Sequence, residues 1–162
     1  MQAPHEPSLS PAALAFLQQA GLPYRLHAHA PVVSFEDARA LLPFDAGAMV
    51  KCLAFRLPNG RYLLAALRGQ DRADYKRIAD AFGVRRADLR LAADEELAID
   101  LQMVPGGVAP LPVGGARVIV AEAAARLVTL YCGTGRNDST LEIETAALLR
   151  ATGAGIAPLA KP

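Results

Sequence analysis

Apolar and polar positions recur with different periods along this chain, and each change of period marks an element. Residues 49–57 and 61–67 are apolar runs of strand length on either side of Pro58-Asn59-Gly60. Asn-Gly between two such runs predicts a β-hairpin. Further on, Tyr75, Ile78, Ala79 and Phe82 recur at i, i+3, i+4 and i+7, which predicts a helix with one apolar face, capped by Asp74 and stopped by Gly83. Before the hairpin, Ser10-Pro11 reads as an N-cap with proline at the first helical position, and Gly21 ends that helix. Residues 24–29 read as extended, and Ser34-Phe35-Glu36-Asp37 opens a short helix that Pro43 terminates. Residues 94–101 predict another short helix. Strands follow at 117–120, 127–132 and 140–143, with a helical turn at 121–125 and a closing helix at 145–151.

Between these periodic stretches lies Pro105-Gly106-Gly107-Val108-Ala109-Pro110-Leu111-Pro112. It can hold neither a regular helix nor a central strand, so it must be a shaped loop. The polar, proline-bearing residues 1–7 read as a loose arm and residues 153–162 as a tail. Strands and helices interleave with a hairpin among crossovers, which predicts an α/β chain with a mixed sheet and helices packed against it. A length of 162 residues suits one domain spanning 1–162, and 52% apolar residues supply ample core for it.

A net charge of +1 provides no global field for a polyanion, so any contact with nucleic acid must be local. Arg25, Arg68, Arg72, Lys76 and Arg136 are candidates for a basic rim, or else are scattered solvated charges. The two cysteines, Cys52 and Cys132, have neither the number nor the spacing of a disulfide framework or a zinc site, and both read as packing residues. The first residues carry no signal-type apolar stretch, and no apolar run approaches the ~20 residues of a membrane helix. The expectation is a cytoplasmic protein with no membrane contact.

Candidate chemistry centres on Lys51. A period of two places it with Met49, Leu53, Phe55 and Leu57 on one strand face, and Val50, Cys52, Ala54 and Arg56 on the other. An ammonium on an apolar face either reaches a cavity holding a polar partner or snorkels to solvent at the strand end. The glycines of the 105–112 loop and of Cys132-Gly133-Thr134-Gly135-Arg136 allow close backbone approach to a ligand, or simply form turns. Neither loop is a nucleotide fingerprint: no GxxxxGK[ST] occurs, and Asp138 stands where GxGxxG needs its third glycine. No cofactor is implied. His27 and His29 stand two apart on a strand, without further ligands at convincing spacing, so no metal site is expected. The four serines include no GxSxG elbow, which disfavours a serine triad.

Taken together, Met49-Val50-Lys51-Cys52-Leu53-Ala54-Phe55, the Pro105–Leu111 loop and Tyr131-Cys132-Gly133-Thr134-Gly135 with Leu141-Glu142-Ile143 resemble the YbaK family in order and spacing. The segment Tyr24-Arg25-Leu26-His27-Ala28-His29-Ala30-Pro31-Val32 looks like that family's entry strand. The family contains free-standing aminoacyl-tRNA deacylases and the editing domain of bacterial prolyl-tRNA synthetases. The resemblance implies a mixed, barrel-like β-sheet surrounded by helices. It also implies hydrolysis of the ester of a misacylated aminoacyl-tRNA, recognised at its 3′ acceptor end, with an aminoacyl-tRNA synthetase as a further possible partner. On this reading Lys51 faces the terminal adenosine and ester, and the amides of Gly107 and Val108 hold the carbonyl oxygen. Gly106, Pro110, Gly133, Thr134 and Gly135 contact substrate, Thr134 sits beside the reacting group, and Tyr24 and His29 shape the pocket.

Gln102-Met103-Val104-Pro105 and the stretch from Gly133 to Asp138 depart from the family pattern, so the amino acid edited does not transfer. Small residues such as alanine, serine, threonine or cysteine are the candidates. Two other readings stay open: a non-catalytic regulator that binds an aminoacyl or nucleotide-like ligand, and a small-ester hydrolase independent of tRNA.

Overall fold

A computed structural model describes residues 5–162. Helix α1 (Pro11–Ala20), strand β1 (Arg25–Ala28) and helix α2 (Phe35–Leu41) precede the hairpin β2 (Val50–Arg56) and β3 (Tyr62–Arg68), and helix α3 (Tyr75–Phe82) follows. After a two-residue strand β4 (Arg90–Leu91) and a single turn α4 (Asp94–Glu96) come β5 (Arg117–Ala121), α5 (Glu122–Ala125), β6 (Thr129–Gly133), β7 (Ser139–Glu144), α6 (Thr145–Thr152) and β8 (Gly155–Ala157).

The local signals act where they stand in the chain. Asp74 accepts the amides of Lys76 and Arg77 at 3.0 and 3.2 Å, and Gly83 ends α3 at φ 71°. Ser34 accepts the Asp37 amide at 3.1 Å to open α2. The hairpin pairs Val50 with Arg68 through Arg56 with Tyr62. The helix expected over 94–101 instead begins with one α turn and widens into a π turn, Leu97–Leu101, that buries both of its leucines.

Five strands form a mixed sheet in the order β4-β2-β3-β5-β8, with β3, β5 and β8 parallel. The other three form an antiparallel sheet, β1-β7-β6. Strand β3 is buried on both sides: Leu64 and Ala66 enter a core shared with α1 and the smaller sheet, whereas Leu63, Ala65 and Leu67 enter a second core against Ile78, Ala79 and Phe82 of α3. Burial of each such large apolar side chain favours folding by about 1.5–3 kcal/mol.

The expectation of a barrel-like sheet needs correction, because the two sheets do not close into a barrel. They meet at one parallel bridge, Met49 to Tyr131. Beyond it β2 turns to pair with β4 at Phe55 and Arg56, leaving a gap between β2 and β6. The expected tail is also corrected. Gly155–Ala157 extends the sheet alongside β5, Leu159 is fully buried in the second core, and the Lys161 amide donates to the Arg72 carbonyl at 2.8 Å. The backbone edge of β5 needs hydrogen-bond partners, and this segment meets that need without any periodic pattern of its own. Of the expected arm, residues 1–4 lie outside the described residues. His5 places Nε2 3.0 Å from the His29 carbonyl oxygen, and Ser8 donates its amide to Ser139 Oγ at 3.0 Å.

Candidate active site

Lys51 lies at the start of β2, where the sheets part. Its half-buried side chain carries Nζ to the carbonyls of Asp71 (2.6 Å) and Gly69 (3.1 Å), just past the end of β3. An ammonium has three N–H groups, so one is left for a ligand. Burial lowers the Lys51 pKa from its ordinary value, and the nearby charge of Asp71 acts in the opposite direction. The anchoring turn is itself braced. Arg68 donates twice to the Asp71 carboxylate, at 2.9 and 3.1 Å, and the Gly69 amide donates to Met49 at 2.8 Å. The ring of Phe35 rests on Gly69 so closely that a Cβ there would sit 2.0 Å from it, which docks α2 on the same turn.

The gap between the sheets is a cavity of about 260 Å³. Lys51, Cys52 and Leu53 form one wall, Tyr131, Cys132 and Gly133 another, and Phe35, Ala38 and Leu42 form the cover. His29 and Thr140 close one side. His29 Nδ1 lies 2.8 Å from the Ala30 carbonyl, which can only accept, so Nδ1 carries the proton. In the neutral ring, Nε2 therefore accepts from the Thr140 hydroxyl at 2.8 Å.

The two glycine-bearing loops meet backbone to backbone at the cavity floor. A Cβ on Gly133 would fall 2.4 Å from the Val108 oxygen and 2.6 Å from that of Gly107. A Cβ on Gly107 would fall 2.4 Å from the Arg136 carbonyl. Gly106, at φ 79°, would meet the Val32 carbonyl at 2.4 Å. The Gly107 amide donates to Val104, and the Gly107 carbonyl accepts from Gly135 at 2.6 Å. The Val108 amide has no acceptor among the described residues, and Val108 lines the cavity.

The profile of a family described as an aminoacyl-tRNA editing domain matches residues 29–151, the stretch from His29 into α6. The chain belongs to that family. No curated protein sequence matches it. Among solved structures, this editing domain is similar to a hypothetical protein, APE2540, at TM-score 0.79 and 24% identity over 93% of this chain and 99% of that one. It is also similar to a protein provisionally described as a trans-editing enzyme for prolyl-tRNA synthetase, at TM-score 0.78 and 24% identity over 96% and 100% of the two chains. A scaffold protein used for epitope backbone grafting has the same fold, at TM-score 0.80 and 21% identity over 95% and 100%.

Within the editing domain, five of the residues singled out from sequence line the cavity: Lys51, His29, Gly106, Val108 and Gly133. Five do not. Tyr24 precedes β1 and packs on the first core, while Pro110 is buried behind the loop. The amide of Gly107 is already committed to Val104, so it cannot serve as the expected oxyanion donor. Gly135 is buried, and a Cβ there would lie 2.2 Å from Ser10 Oγ. Thr134 cannot stand beside a reacting group, because it is fully buried. Its hydroxyl donates to the carbonyls of Ser139 (3.0 Å) or Arg136 (3.2 Å) and accepts the Arg136 amide at 3.1 Å. Thr134→Val is therefore expected to lower unfolding free energy by about 1–3 kcal/mol through unpaired buried groups, as read by denaturant titration. The Km for an ester substrate should change little.

Thr140 is the residue that sequence reasoning missed. Its signal was the alternation of Thr140 and Glu142 against Leu141 and Ile143, which puts Thr140 on the same face as His27 of β1, with which it is paired, while His29 lies just past the end of that strand. His27 on that face pairs with Glu142 at 2.7 Å. Of the proposed basic rim only Arg136 lines the cavity, while Arg68 is held by Asp71 and Lys76 lines a separate concavity. Both cysteines touch the cavity wall, but burial pushes their thiols up, Cys132 to about 12, so neither is a ready thiolate. Among the described residues no three metal-ligating side chains gather, and no helix is long and apolar enough to cross a membrane.

Proposed function

We propose that this protein hydrolyses the ester linking a small, misattached amino acid to the 3′ end of a tRNA, as a trans-editing hydrolase. The observation that carries this reading is that one cavity is lined by Lys51, whose ammonium is anchored with an N–H to spare, by Val108, whose amide has no acceptor among the described residues, and by the His29–Thr140 pair. Membership of the editing-domain family supports it, as does the likeness to a structure described as a trans-editing enzyme.

An aminoacyl ester is already activated, so its hydrolysis depends on positioning and on stabilising the developing oxyanion. Lys51 directs its remaining N–H to the terminal ribose or phosphate, and the Val108 amide donates to the carbonyl oxygen. Thr140 gives its proton to the His29 hydrogen bond and keeps lone pairs with which to hold a water. The water oxygen adds to the carbonyl carbon and gives up one of its protons, the bond to the ribose oxygen breaks, and that oxygen takes up one proton in return. The products are the free amino acid and a tRNA with a restored hydroxyl. A cavity of about 260 Å³ falls near the lower end of small-ligand sites, roughly 300–1,000 Å³, which favours small side chains.

The test is a deacylation panel of tRNAs charged with alanine, serine, threonine, cysteine and proline. Release of at least one small amino acid at a rate well above the uncatalysed one is expected. Binding of every member without hydrolysis would overturn the enzymatic reading in favour of a ligand-binding regulator. Equal hydrolysis of simple amino-acid esters would overturn the dependence on tRNA.

A further inference from the structure

Most arginines on and around α3 have carboxylate partners: Arg68 with Asp71, Arg77 with Asp74, Arg85 with Asp88 and Arg90 with Glu96. Lys76, Arg86 and Lys161 have none among the described residues, yet all three are exposed around one concavity of about 450 Å³. The fold brings them together from three distant parts of the chain. Lys76 stands in the first turn of α3, Arg86 lies beyond its end, and the terminal segment delivers Lys161 through the Ala73–Ala160 bridge and the hydrogen bond its amide donates to the Arg72 carbonyl. Arg72 adds an exposed fourth cation at that point. The guanidinium of Arg86 lies 4.8 Å from the centroid of the Tyr75 ring, a contact that holds it in place. Among the described residues Asp74 supplies the one carboxylate in the lining, and it is engaged by the Lys76 and Arg77 amides and by the Arg77 side chain at 3.8 Å.

Like charges left unpaired in one hollow repel one another, and the arrangement favours an anion with several spaced charges. The hollow is also tied to the cavity. Lys51 is anchored to the Asp71 carbonyl, and the four residue steps from Asp71 to Tyr75 span at most about 14 Å. A nucleic acid with its 3′ end beside Lys51 would therefore bring its next phosphates within reach of this surface.

We infer that Lys76, Arg86, Lys161 and Arg72 form a phosphodiester-binding surface that holds the acceptor arm of the tRNA while its 3′ end occupies the cavity. This rests on the proposed function for the identity of the nucleic acid. It resolves how a chain of net charge +1 holds a polyanion, since the contact is local and not global.

The experiment compares wild type with Lys76→Glu/Lys161→Glu and with Lys76→Ala/Arg86→Ala/Lys161→Ala, all at exposed positions, with thermal melting as the folding control. Binding of uncharged tRNA is measured across a salt series. Hydrolysis is measured on charged tRNA and on a 3′-aminoacyl adenosine too short to reach the surface. The triple variant should weaken tRNA binding about tenfold or more and flatten the salt slope by about 2–3. Its Km for charged tRNA should rise while the short ester is hydrolysed as before. An unchanged tRNA affinity and salt slope in both variants would overturn the inference, as would inorganic triphosphate competing with tRNA in wild type and not in the triple variant while tRNA affinity is equal in the two. Because binding of uncharged tRNA involves no ester, and the variants leave Lys51 and the cavity intact, absence of hydrolysis in wild type would sink the editing reading without touching this one.

Discussion

Lys51→Met is expected to lower kcat/KM for aminoacyl-ester hydrolysis by on the order of 10²–10³-fold, the usual effect of removing one preorganised polar group that stabilises the reacting centre. Methionine keeps an unbranched apolar stem against the strand face and deletes only the ammonium with its bonds to Asp71 and Gly69. The fold should survive, for a reason that can be signed. A lysine whose folded pKa is lowered by burial is disfavoured in its charged form by folding, so at neutral pH that charge costs stability. Removing it relieves that cost and sets free two carbonyls at the turn, so the melting temperature should move little while activity collapses. For the same reason the wild-type rate should decline on the alkaline side at a pH below the ordinary lysine value of 10.5. Lys51→Arg should not rescue, because a planar fork cannot reproduce two carbonyl bonds and a third N–H from a tetrahedral head. A melting scan beside the pH–rate profile checks all three statements. A variant retaining the wild-type rate would remove Lys51 from the site.

Gly133→Ala should have the largest effect on stability and an equally severe one on activity. The new Cβ would lie 2.4 and 2.6 Å from the carbonyl oxygens of Val108 and Gly107. Both obstacles are backbone, so no rotamer change relieves the clash, and the loops must separate. Overpacking of this kind costs about 1–3 kcal/mol, or roughly 2–4 °C of melting temperature per kcal/mol in a chain of this size. Separation also displaces the Val108 amide, so hydrolysis should fall further than stability alone explains. Gly155→Ala is the matched control, since its Cβ would meet only Ile119 at 3.5 Å. If Gly133→Ala melts and turns over like wild type, the loop contact does not position the site.

The glycine loops also explain why the residues singled out from sequence divide between the cavity lining and the contact between the loops. Two glycine clusters signalled close approach, and close approach is what occurs, but largely between the loops themselves. Gly107 therefore serves the loop junction, and its amide is consumed by Val104. Thr134 sits between glycines as a substrate-contacting residue might, yet its hydroxyl satisfies the carbonyls of its own turn. A sequence shows which residue types stand close along the chain. It does not show which groups have already spent their hydrogen bonds.

What the sequence by itself determined was most of what is set by neighbours a few residues away, the π turn over Leu97–Leu101 being an exception. The Asn-Gly hairpin, the apolar face of α3, its Asp74 cap, its Gly83 stop and the alternation along β2 all follow from steric and hydrogen-bonding preferences of period 2 or 3.6, and the structure contains each of them. Only the tertiary structure decided where the two sheets part, that a patternless C-terminal segment completes one of them, and that Thr140 meets His29 across 111 positions. Those outcomes depend on which distant groups remain unpaired once the local elements have formed. The gap that exposes Lys51 is the clearest case, because it exists only where the hydrogen bonding between β2 and β6 stops after a single bridge.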